Sequence, residues 1–114
     1  MKRLGLALFA SIVLAGCRGT PPPIRLNGRT LVVENQTKHE WRNVTVTVNA
    51  YYRGGASSLA PGAELDAGLS SFVTGFGQRF DPNREMVHTV EVRAIDASGQ
   101  PVSVDWSDRK QEKK

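Results

Sequence analysis

One cysteine, two histidines and two adjacent tyrosines carry most of the chemistry open to this chain, and their spacing favours attachment and contact over bond breaking. Cys17 is the only thiol. A single cysteine forms no internal disulfide and no multi-cysteine metal cluster, so the fold must be held by core packing. Nucleophilic catalysis needs a base oriented beside a hydroxyl or thiol. His39 falls in a polar turn, and His88 enters an alternating apolar stretch with the parity of Val90 and Val92. Neither position suggests a triad, so no catalytic residue is expected. Asp81, Asn83 and Glu85 have the alternate spacing that opens a calcium loop. Met86 stands where such a loop needs Gly, and Val92 where it needs Glu, which leaves an Asp-Pro turn as the expectation. The chain has no Walker motif and no G-x-G-x-x-G. Neither a metal nor a cofactor is expected.

Tyr51-Tyr52 is a better clue to binding, because adjacent strand residues point to opposite faces. If Tyr52 continues the inward parity of Val44, Val46 and Val48, then Tyr51 faces outward. Tyr51 and Arg53 then become candidates for a partner contact, since Tyr and Arg are enriched at binding hot spots. The plainer alternative is a half-buried tyrosine at a strand end. Trp41 precedes the valine row with the wrong parity to join it without a bulge, and is expected to cap the end of the core.

These residues need elements to position them, and charge divides the chain first. There are 15 Lys and Arg against 11 Asp and Glu, a formal net charge of +4. Lys2 and Arg3 open the chain, and the tail from Asp108 is rich in Lys and Arg. Between Arg18 and Ser107 basic and acidic residues balance at nine each. Binding to nucleic acid draws most of its affinity from phosphate neutralisation, so a neutral body argues against that partner.

Met1-Lys2-Arg3 followed by the uncharged, apolar stretch Leu4 to Gly16 has the n-region and h-region of an export signal. As a helix it would rise roughly 20 Å, short of the roughly 30 Å hydrocarbon core of a bilayer. Residues 17–28 follow as a linker containing Pro21-Pro22-Pro23, where three prolines favour a semi-rigid polyproline II stalk. Residues 29–107 form the expected domain, and 108–114 a disordered basic tail.

Within the domain the firmest strand is Asn43 to Asn49, with valines at 44, 46 and 48 and polar residues between them. Thr89 to Ala94 alternates likewise. Val102, Val104 and Trp106 repeat the pattern after the turn-like 96–101, which predicts a hairpin with Pro101 at a strand start. Thr30 to Glu34 is an earlier strand. Weaker ones are expected over Ala50 to Arg53, Ser58 to Ala60 and Ala63 to Ala67, with Pro61-Gly62 as a turn. Phe72, Phe76 and Phe80 mimic helical spacing, but Gly75 and Gly77 would each cost about 1 kcal/mol in a helix. At most one helical turn near Leu69 to Val73 is expected, then a loop pinned by Phe76 and Phe80. Short strands with one apolar face each need a second sheet to cover them, which predicts an all-β sandwich of about six to seven strands.

Two resemblances add to this. Leu14-Ala15-Gly16-Cys17 resembles the lipobox of bacterial lipoproteins. The resemblance implies cleavage by signal peptidase II between Gly16 and Cys17, a diacylglyceryl group on the Cys17 thiol, and acylation of the new amino group. An ordinary signal peptide with an incidental cysteine is the alternative. Arg18 replaces the Asp that retains enterobacterial lipoproteins at the inner membrane, so the resemblance implies the periplasmic face of an outer membrane where the host has one. In a bacterial protein the acceptor-like Asn35-Gln36-Thr37 and Asn43-Val44-Thr45 are expected to be chance matches. "VENQTKHEWRNVTVTVN" followed by "LAPGAEL" is similar to small immunoglobulin-like or fibronectin type III-like sandwich domains of bacterial envelope proteins, including the group named for its FxLYD motif. Together they imply a lipid-anchored envelope module for interaction or structural support, with an envelope protein as the expected partner. A periplasmic small-molecule or glycan-binding lipoprotein is the alternative.

Overall fold

A computed structural model describes residues 21–108 of the chain. The leader, Gly16, Cys17 and the tail beyond Asp108 lie outside the described residues. The described residues form seven strands joined by turns and one long connection: β1 (Ile24–Asn27), β2 (Thr30–Glu34), β3 (Trp41–Val48), β4 (Tyr52–Leu59), β5 (Glu64–Gly68), β6 (Thr89–Asp96) and β7 (Pro101–Ser107). A 3-10 turn covers Leu69–Ser71. The strands form two antiparallel sheets, ordered β1-β2-β5 and β4-β3-β6-β7. The described residues thus form an all-β sandwich.

The core follows from period-two alternation. Val44, Val46 and Val48 of β3 meet Val90, Val92 and Ala94 of β6, and Leu31 and Val33 of β2 join them in one buried cluster. Val102, Val104 and Trp106 of β7 pack on the same cluster half-buried, as an edge strand should. Each fully buried Val or Leu contributes about 1.5–3 kcal/mol relative to exposure.

Trp41 joins this core by the one device its parity allows. The β3–β6 register shifts between Arg42 and Thr45, and Asn43 adopts a φ of 53°. That bulge returns the indole to the inner face, where Trp41 is 1% exposed. It also explains Gly55 on the neighbouring strand. A Cβ there would lie 2.0 Å from the Val44 carbonyl oxygen. Gly54 answers a different demand, since a Cβ on it would meet the Phe72 ring at 2.9 Å.

The Gly54-Gly55 pair is why β4 differs from expectation. Two weak strands were expected, ending at Arg53 and beginning again at Ser58, but β4 runs unbroken from Tyr52 to Leu59. The glycines admit a ring and a bulge; they do not break the ladder.

β1 lies inside the stretch 17–28 expected to be linker, which corrects that boundary. Only Ile24 of its four residues is buried, so the strand has almost no alternation to betray it. The proline run is also held. Gln36 donates to the Pro21 carbonyl (2.7 Å), Arg25 to that of Pro22 (2.8 Å) and the Glu34 amide to that of Pro23 (2.8 Å). Residues 21–23 are therefore laid against the domain and do not act as a free stalk. Arg25 further bridges Glu34 (3.1 Å) and Glu64 (2.6 Å), tying β1 to the other two strands of its sheet.

The strand directions give the sandwich two distinct ends. The chain enters at the end that also holds the β2–β3 corner, the β4–β5 turn and the β6–β7 turn. The β1–β2 turn, the β3–β4 turn, the long connection 69–88 and the end of β7 gather at the opposite end.

Candidate functional site

Among the described residues, three of the five exposed large apolar side chains lie at the end opposite chain entry: Tyr51 (72% exposed), Phe76 (97%) and Met86 (71%). Each sits on a segment fixed by its own hydrogen bonds.

Tyr51 belongs to the β3–β4 turn and not to a strand. Asn49 and Ala50 have φ of 51° and 69°, and the Tyr51 amide donates to the Val48 carbonyl at 3.2 Å, the geometry of a type I′ turn. Its outward direction is as the tyrosine pair suggested, and Arg53 is likewise exposed on β4. Tyr52 turns the other way. Its ring meets Phe80 edge-on at a centroid distance of 5.2 Å, and its hydroxyl donates to the Glu85 carboxylate at 2.9 Å. That hydrogen bond, with partial burial and the Glu85 charge, raises the Tyr52 phenol above the ordinary tyrosine value.

Residues 72–80 form a small hairpin in place of the expected pinned loop. Phe72 and Phe80 are buried at its base, where the Phe80 amide donates to the Phe72 carbonyl (2.9 Å). Val73 extends the β4 ladder through paired backbone bonds to Arg53 of 2.8 and 3.2 Å. At the tip, the Thr74 hydroxyl accepts from the amides of Phe76 (3.2 Å) and Gln78 (3.1 Å), and Gly77 supplies a φ of 88°. Phe76 does not pin anything; it stands free between two glycines. The burial of Phe72 and Phe80 holds the base, and the turn chemistry directs the third ring to solvent.

Asn49 clamps the β3–β4 turn to the segment before β6. Its Nδ2 donates to the Met86 carbonyl (2.9 Å), and its Oδ1 accepts from the amides of His88 (2.7 Å) and Thr89 (3.2 Å). β6 begins at Thr89, so His88 escapes the inward parity expected of it and lies exposed. Its Nδ1 lies 2.8 Å from Asp108 Oδ2, and the Asp108 amide donates to the His88 carbonyl at 3.0 Å. Asp108 thus belongs to the fold, although it was assigned to the tail.

The Asp81-Pro82-Asn83 turn is present. Asp81 Oδ1 accepts from the Asn83 amide (3.0 Å), while Asn83 Oδ1 accepts from Arg29 and Glu85 serves Tyr52. Among the described residues no three His, Cys, Asp or Glu side chains gather as a metal site.

Between Tyr51 and the hairpin tip runs an open-sided groove of about 730 Å³. Its walls are Tyr51 and Phe76, and Asn49, Thr74, Gln78 and Glu85 supply polar groups between them. Sequence reasoning found Tyr51 and Arg53 but missed Phe76 and Met86 as exposed groups. The glycines flanking Phe76 were the available signal, since they mark a turn and not a core position. Trp41 lines none of this; it is buried elsewhere in the sandwich. The chain was compared with protein-family models, characterised proteins and solved structures, and none of them matches it.

Proposed function

We propose that this is a lipid-anchored lipoprotein of the bacterial cell envelope whose sandwich acts as an interaction or structural accessory module, not as an enzyme. The contact surface is the end carrying Tyr51, Phe76 and Met86. The observation that carries this reading is the bracing of those three exposed apolar groups by Asn49, Thr74 and the Tyr52–Glu85 bond. Apolar groups kept in water on pre-set backbone are matched to a partner, because their ordering cost is met before binding. Anchoring rests on Leu14-Ala15-Gly16-Cys17. Two or more acyl chains hold a membrane stably at about 0.8 kcal/mol per buried CH₂. No described helix is long and apolar enough to cross a membrane.

Replacing Cys17 with Ser tests the anchor. Fatty-acid labelling should vanish and the protein should leave the membrane fraction; unchanged retention would count against lipidation. The groove favours a second reading, a small-molecule or glycan-binding lipoprotein, since sites of several hundred Å³ suit such ligands.

A further inference from the structure

We propose that the open edge of β7 is the interface at which two copies of this chain pair, joining their four-stranded sheets antiparallel about Val104. This contact is separate from the far-end surface described above and does not depend on the anchor.

Four strands lie at a sheet edge, and three of them are guarded. β1 has only four residues and follows a proline run. β5 has five, with carboxylates at Glu64 and Asp66. β4 is covered where Val73 pairs with Arg53. β7 has none of these protections. Its seven residues keep an unbroken register with β6, carry no Lys or Arg, and place their one proline at the start. Among the described residues no strand pairs with its other side. A long, regular edge of this kind offers its unpaired amides and carbonyls to another strand.

The phase of the ladder fixes which groups are open. Bonds from the Asp108 amide to the His88 carbonyl (3.0 Å) and from the Asp96 amide to the Gln100 carbonyl (2.9 Å) bracket the β6–β7 pairing, and no bulge interrupts it between them. Hydrogen-bonded positions alternate along an antiparallel pair. Val102, Val104 and Trp106 therefore direct their backbone groups at β6. Ser103 and Asp105 direct theirs away from it.

Those two residues complement each other across a two-fold axis. With Val104 opposite its own copy, Ser103 falls opposite Asp105 of the second chain. Each such pair exchanges both backbone bonds, and the serine hydroxyl faces a carboxylate that accepts from it. Sliding by two residues one way sets Asp105 against Asp105, with like charges opposed. Sliding by two the other way sets Asp105 against Pro101, which has no N–H to give. A slide of one residue turns open groups towards closed ones. The Val104-centred register alone satisfies every open group of Ser103 and Asp105 without opposing two carboxylates. It also aligns Val102 with Trp106 and Val104 with Val104 on the core side, where all three are only half-buried in one copy. The strand is its own complement, so the occupant is a second copy and the interface is isologous.

Full-length protein in detergent, followed by backbone amide exchange and by sedimentation over a dilution series, tests this. On concentration the Ser103 and Asp105 amides should gain protection in step with the dimer, while the Val102, Val104 and Trp106 amides stay protected throughout. Ser103→Pro removes an outward N–H and no bond to β6, so the monomer should keep its fold and lose the dimer. Ser103→Asp should weaken pairing about tenfold by facing Asp105 of the other copy, while Arg93, opposite on β6, keeps or raises the Tm. Ser103 and Asp105 amides that exchange alike at every concentration, or variants that associate as the wild type does, would overturn the proposal. Association that leaves those amides unprotected would assign the contact to shared micelles or to the Tyr51 end, and overturn it equally. Protection that appears only when another envelope protein is added would overturn it in favour of a foreign strand.

Discussion

Asn35 shows how much one residue can organise. It is fully buried, and every polar group on its side chain is used. Its Nδ2 donates to the carbonyls of His39 (2.9 Å) and Leu59 (3.0 Å), and its Oδ1 accepts from the Thr37 amide (2.9 Å) and hydroxyl (2.6 Å). The Asn-x-Thr pattern that resembles a glycosylation acceptor is a corner lock joining β2, β3 and β4. Asn35→Ala should lower unfolding free energy by about 2–4 kcal/mol, read as a drop in the urea midpoint, because it strands buried partners. Trp41 is the opposite case, since its buried Nε1 has no hydrogen-bond partner. Trp41→Phe should therefore change stability by less than about 1.5 kcal/mol, whereas Trp41→Ala should cost about 3–5 kcal/mol through the cavity it leaves. A large loss in the Phe variant would mean that the indole N–H is satisfied in solution.

At the scale of elements, turns and glycines decide where strands stop and what they admit. Ala50 holds a φ of 69° in the β3–β4 turn, a conformation that glycine adopts without steric penalty. Ala50→Gly should raise stability by up to about 1 kcal/mol, visible as a Tm a few degrees higher. Gly55→Ala should cost about 2–3 kcal/mol, because the only relief for its Cβ is movement of the Val44 backbone. Gly75→Ala, with nothing within 4 Å, should be neutral within about 0.5 kcal/mol. Denaturant melts of the three variants, compared side by side, check these three expectations.

For the whole molecule, acid sensitivity follows from two carboxylates near the chain-entry end. Gln36 and Arg25, through their hydrogen bonds, hold Glu34 below the ordinary glutamate value. Asp96 is likewise lowered, first by the Ser98 hydroxyl and then by the Gln100 amide. A depressed folded-state value stabilises the fold above the unfolded value and is lost as pH falls through the folded one. The Tm should therefore decline below about pH 4.5, the ordinary glutamate value. Glu34→Gln with Asp96→Asn should flatten that decline below about pH 4.5. Tyr52 runs the other way. Its raised value stabilises the fold below the ordinary tyrosine range and is lost as pH climbs through the folded value, so Tyr52→Phe should remove an alkaline step in Tm.

The alternating valines of β3 and β6 and the hairpin into β7 were legible from the residues alone, because a strand with one buried face writes its period into the sequence. The same local rule is silent for β1, whose four residues bury one side chain, and misleading at Gly54-Gly55, whose reason lies in Phe72 and the Val44 carbonyl across the fold. Local chemistry also determined that Asp81-Pro82-Asn83 would turn and that Tyr51 and Tyr52 would diverge. Only the tertiary structure decided that Phe76 would be exposed and that Asp108 would meet His88. Those outcomes depend on which distant segments share an end of the sandwich, and strand pairing across the chain sets that where no short window of residues can.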